Sequence, residues 1–121
     1  GQSKCLDGDD RAVLEELYHA TNGANWKKSD GWVKTRDICE WWGVQCWDGD
    51  QYPDRAGQVQ RLILDNNNMV GTTPKALFAL EDMTEMRLSR NPELTFDMDG
   101  IGKSRYLHVL NIAHTNTYSF K

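Results

Sequence analysis

The chain has 121 residues, 39% hydrophobic and 26% charged, which is enough for one compact domain and short for two. Its 14 Lys and Arg stand against 18 Asp and Glu, a formal net charge of -4, so no positive field gathers phosphates and nucleic acid is not an expected partner. The longest apolar runs, such as Ala76 to Leu80, fall far below the ~20 residues that cross a bilayer. No basic segment leading into an apolar run opens the sequence, so it reads as a chain that never had a signal or transit segment or has lost it.

In chain order, Asp9 or Asp10 can cap a helix in which Val13, Leu14, Leu17 and Tyr18 form one apolar stripe, and Asn22-Gly23 supplies its stop. Asn25-Trp26 through Trp32 read as irregular turns that hold two indoles inward. A turn-rich stretch from Asp48 to Gly57 then divides the chain. Before it lie all three cysteines (Cys5, Cys39, Cys46) and all five tryptophans (Trp26, Trp32, Trp41, Trp42, Trp47); after it lie most leucines and asparagines.

The second half aligns on itself with a shift of 24 residues. Val59, Leu62 and Leu64 fall on Met83, Met86 and Leu88, and these on Leu107, Leu110 and Ile112, each set spaced L-x-x-L-x-L. Residues at i and i+2 share one side of a strand, and the residue three earlier enters the same core from a bend. One copy buries nothing alone; stacked copies make a parallel sheet over a continuous apolar column. Asn67 and Asn91 hold one phase, where an amide turned into the bend satisfies backbone groups, so they read as structural; the third copy has Thr115 there.

These residues resemble the plant-type leucine-rich repeat, L-x-x-L-x-L-x-x-N-x-L-x-G-x-I-P, met from Val59 to Pro74 with Thr73 in place of isoleucine. The second copy is degenerate beyond Asn91, where Pro92-Glu93-Leu94 stand. The first half resembles that family's N-terminal cap: Asp10 to Tyr18 match its helix, followed by Asn25-Trp26, Gly31-Trp32 and Cys39-Glu40-Trp41-Trp42-Gly43-Val44-Gln45-Cys46. The resemblance implies an α/β fold, a short right-handed leucine-rich-repeat solenoid with parallel strands on its concave face, a cap over 1–57 and repeats over 58–121. It also implies a Cys39–Cys46 disulfide, and hence an extracellular site or an oxidising organelle lumen such as that of the thylakoid. Cys5 is left over, as an intermolecular link, a half-bridge to a missing partner or a buried thiol.

A cap is needed because the first strand would otherwise expose an edge and an apolar face. An aromatic side chain buries about 150–250 Å², which suits Trp26, Trp32 and Trp41 to that seal; Trp47, beside the acidic turn Asp48-Gly49-Asp50, is a candidate contact residue. No sequon, calcium loop, phosphate loop or G-x-S-x-G elbow is present, so neither metal, cofactor nor catalytic residue is expected. The residues between the strand leucines point outward, and they are the candidate binding surface: Arg61, Glu85 and Val109 in one row, Ile63, Arg87 and Asn111 in the next, Asp65 and Ser89 beyond, and His114 in the last. After Ile112 the chain is short and polar, so a C-terminal cap is not expected and the last repeat, or Cys5, offers a place for assembly. The function expected is non-catalytic binding of a protein or peptide, as in a receptor ectodomain or small secreted repeat protein. The alternative is a structural subunit docked in a larger, possibly membrane-associated complex; inhibition of a secreted enzyme is a weaker third.

Overall fold

The computed structural model describes residues 2–116, with side chains from Asp10 onward. Its first element, α1 (Gln2–Ala20), starts well before the cap expected at Asp9 or Asp10. The reason lies in where the Asp10 carboxylate goes: its Oδ2 accepts the amide of Val59 at 3.1 Å, 49 positions away, and Asp10 is itself buried. Leu14 and Leu17 are fully covered and Val13 nearly so, which is the predicted stripe. The helix ends as expected at Asn22, whose left-handed backbone (φ 59°) turns the chain.

Six short strands follow: β1 (Val44–Cys46), β2 (Val59–Ile63), β3 (Val70–Thr72), β4 (Glu85–Arg87), β5 (Glu93–Thr95) and β6 (Val109–Asn111). The larger sheet has the order β1-β2-β4-β6, and β2, β4 and β6 are parallel. Arg61 pairs with Glu85 and Glu85 with Val109, Leu62 with Met86 and Met86 with Leu110, and Ile63 with Arg87 and Arg87 with Asn111, so the 24-residue phase is the register of the sheet. β1 lies antiparallel on the outer edge of β2 and covers it. Gly43, at φ 86°, permits this approach: a Cβ there would meet the Ile63 carbonyl oxygen at 2.5 Å, while the Ile63 amide donates to the Gly43 carbonyl at 2.8 Å.

A second, two-stranded parallel sheet pairs β3 with β5. It starts against the end of α1, where the Val70 amide donates to the Thr21 carbonyl at 3.2 Å. Gly71 fits there because a side chain would strike the Ala20 carbonyl at 2.4 Å.

Between the sheets runs the apolar column. Val59, Leu62, Leu64, Met83, Met86 and Leu88 are fully buried, whereas Leu107, Leu110 and Ile112 are half-buried against the same core. Asn91 stitches its turn to the preceding one: Oδ1 accepts the amides of Asn67 (2.8 Å) and Met69 (3.1 Å), and Nδ2 donates to the carbonyls of Leu64, Leu88 and Ser89. Asn67 does the same with the cap, accepting the Lys28 amide at 2.8 Å and donating to the Lys28 carbonyl at 3.0 Å.

The indoles of Trp26, Trp32 and Trp41 pack in series, with centroids 4.9 Å apart at each step, and all three are buried. Each ring N–H is satisfied by a carbonyl, of Thr21, Trp42 and Thr35 respectively. Arg11 closes the cap from outside, its guanidinium lying 5.1 Å over Trp41 and donating to the carbonyls of Val33, Thr35 and Arg36. The Cys39–Cys46 disulfide joins the turn at Ile38–Glu40 to β1.

Candidate functional site

Because side chains alternate along a strand, burying Leu62, Met86 and Leu110 turns Arg61, Ile63, Glu85, Arg87, Val109 and Asn111 to the opposite face. Arg61 is exposed and the other five half-buried. Glu85 sits at the centre: its carboxylate pairs with the Arg61 guanidinium at 3.6 Å across the strands and accepts a hydrogen bond from Arg87 Nε on its own strand. The Arg87 bond, more than any other contact, holds the Glu85 carboxyl below the usual carboxylate range and raises the Arg87 guanidinium. The Asp65 carboxylate also acts on Arg87, so two guanidinium groups stand against two carboxylates, with Ile63 and Val109 as apolar neighbours.

The row is wider than the sequence suggested, since β1 adds Gln45, whose Oε1 accepts from Arg61 Nη1 at 3.3 Å. A three-residue strand is too short to reveal itself by alternation, which is why Gln45 was not foreseen.

Two expected contact residues are otherwise engaged. Ser89 is buried, because the Asp65 carboxylate from the preceding turn accepts both its amide and its hydroxyl at 2.8 Å. Trp47, the candidate contact residue beside the acidic turn, is buried: its N–H donates to the Asp82 carbonyl at 3.0 Å, its ring meets Tyr52 edge-on, and Arg55 lies 4.9 Å over it. His114 is exposed just past β6, in left-handed backbone (φ 60°) like Asn66 and Arg90, its equivalents in the two preceding turns.

The Asp97-Met98-Asp99 loop holds a cation of the protein's own, since Lys75 Nζ lies 3.2 Å from Asp97 and 3.1 Å from Asp99. The Cys5 side chain, and residues 117–121 on which the expectation of a missing C-terminal cap partly rests, lie outside the described residues. No described helix is long and apolar enough to cross a membrane.

No family model matches the chain. Two plant receptors do: phytosulfokine receptor 2 of Arabidopsis thaliana, 31% identical over 83 residues, and receptor-like protein 50 of the same plant, 29% identical over 89 residues. The chain is a plant-type leucine-rich-repeat protein. Those alignments cover 69% and 72% of it but 7% and 9% of the relatives, so it spans under a tenth of their length. Among solved structures, a plant ice-binding protein superposes with a TM-score of 0.76 at 20% identity, covering 92% of this chain and 34% of that one. The BIR2 ectodomain of Arabidopsis thaliana gives 0.73 at 18% identity, covering 90% and 56%. The Arabidopsis receptor kinase HAESA, solved with the peptide hormone IDA and the co-receptor SERK1, gives 0.71 at 20% identity, covering 90% and 17%. These establish the solenoid fold.

Proposed function

We propose that this leucine-rich-repeat chain is a non-catalytic module that binds a protein or peptide through the strand face centred on Glu85. The observation that carries the reading is the Arg61–Glu85–Arg87 cluster, flanked by Ile63 and Val109. It offers charge-assisted donors beside apolar surface, the composition that interfaces favour. Of the two sequence relatives one is named a receptor and the other receptor-like, and HAESA was solved with a peptide hormone and a co-receptor, which supports a partner of this class. A disulfide suits an oxidising compartment, and the receptor relatives favour the extracellular one over an organelle lumen.

A second reading, a subunit docked permanently in a larger complex, is favoured by β6, whose three residues are all half-buried at one end of the sheet order. Native mass spectrometry of the protein from its source, without reductant, followed by affinity measurement with the partner so identified, separates the two. Arg87→Ala is expected to raise Kd at least tenfold if the strand face binds. An unchanged Kd, with partner protection mapped to β6 by hydrogen exchange, overturns the first reading in favour of the second.

A further inference from the structure

A cleft of about 460 Å³ opens away from the strand face, between α1, the loop leading into β2 and the loop leading into β4. Its walls are of two kinds. Val13 and Ala79 make an apolar floor, while Asp10, Asp54, Glu81 and Asp82 place four carboxylates around it. Asp10 is already committed to the Val59 amide and Asp82 lies 3.9 Å from Arg55, but Asp54 and Glu81 are exposed at the mouth. Among the described residues Arg55 is the cation paired with a wall of the cleft, and it does not line the cavity. Its guanidinium is held between two rings, 4.9 Å over Trp47 and 5.0 Å over Tyr106.

That stack adjoins the cleft through Asp82, whose carbonyl accepts the Trp47 N–H at 3.0 Å and whose carboxylate lies 3.9 Å from Arg55, and it has the composition of an interface anchor. Tyr52 and Tyr106 are 40% and 47% exposed, among the few large hydrophobic side chains left in solvent, and buried Trp47 fixes Tyr52 and Arg55 from beneath. Tyr, Trp and Arg are the residues that dominate binding energy when a partner desolvates them. The occupant follows from the charges. A lysine or arginine side chain can lay its alkyl stem on Val13 and Ala79 and bring its cationic head to Asp54 and Glu81, while an adjacent apolar residue covers Tyr52 or Tyr106.

We infer that this cleft is a second docking surface, one that takes a basic side chain flanked by apolar residues from an extended segment of a partner protein. It shares no residue with the Glu85 cluster, so either surface can fail without the other.

The test uses the intact chain and the peptide acetyl-Leu-Arg-Leu-Arg-Leu-amide, followed by nitrogen-15 amide shifts. The amides of Val13, Asp54, Gln58 and Glu81 are expected to move together. The double variant Asp54→Asn, Glu81→Gln should raise Kd about tenfold, with an unchanged unfolding midpoint because neither side chain is buried. Arg87→Ala should leave the peptide Kd unchanged. Shifts centred on β2 and β4, an unaltered Kd in the double variant, equal binding of the Leu-Glu analogue, or equally tight binding of guanidinium ion alone would each overturn the proposal.

Discussion

Asn67 and Asn91 occupy the same phase of the repeat, yet they sit at two different junctions. Asn91 joins one turn of the solenoid to the next and is fully enclosed, serving two amides and three carbonyls. Asn67 joins the first turn to the cap, and its side chain serves Lys28 at both amide and carbonyl. The comparison shows how the cap works. The loop after Trp26 presents the first repeat with the backbone groups that a preceding turn would have presented, and β1 presents β2 with a paired edge. The imitation is incomplete, because β1 runs antiparallel and is anchored by a disulfide, whereas β2, β4 and β6 are held by parallel pairing, packing and side-chain hydrogen bonds and ion pairs between turns.

If the two junctions differ in this way, breaking them should differ in cost. Asn91→Ala leaves two buried amides and several carbonyls without their acceptor or donor, and is expected to lose about 3–5 kcal/mol of stability by urea unfolding. Replacing both Cys39 and Cys46 by serine frees β1 in the unfolded chain and is expected to cost about 2–3 kcal/mol for so short a loop; an equal loss for the strand-face amides of β4 by hydrogen exchange would show that cap and repeats do not separate as argued. Asn67→Ala is expected to cost less than Asn91→Ala, about 1–2 kcal/mol. Equal losses at the two asparagines would abolish the distinction between the junctions.

The smallest effect concerns the strand face itself. The Glu85 carboxyl is depressed chiefly by its hydrogen bond from Arg87, so it binds its proton less readily when folded than when unfolded. Its contribution to stability is therefore present above the ordinary glutamate value of 4.5 and is lost as pH falls through the lower folded value. Glu85→Gln should be slightly less stable than the parent at neutral pH, and the difference should vanish in acid. A difference independent of pH would assign it to packing rather than to charge.

Much of this was readable before folding, and for a physical reason in each case. A repeating unit must solve the same burial problem at every turn, so the 24-residue spacing of Val59, Met83 and Leu107, the pairing of Arg61 with Glu85, and the bend asparagines all appear as periodicity. The inward tryptophans were legible because so large a ring is seldom left in water. Other features carried no local signal. Asp10 resembles a helix cap but spends its carboxylate on a backbone amide 49 residues away. Arg11 ties down three carbonyls of the cap loop, 22 to 25 residues away.

The period, the core positions and the outward rows were thus decided by local pattern, since alternation and repetition act within a few residues or recur at a constant step. The tertiary structure alone decided the edge strand β1, the β3–β5 sheet, the burial of Trp47 and Ser89, and the acidic cleft. Each of these depends on contacts between segments brought together only by folding: Asp82 on Trp47, Asp65 on Ser89, and three separate stretches around one cavity. No spacing along the chain encodes such meetings, because their energy exists only once the column of leucines and methionines has placed the segments side by side.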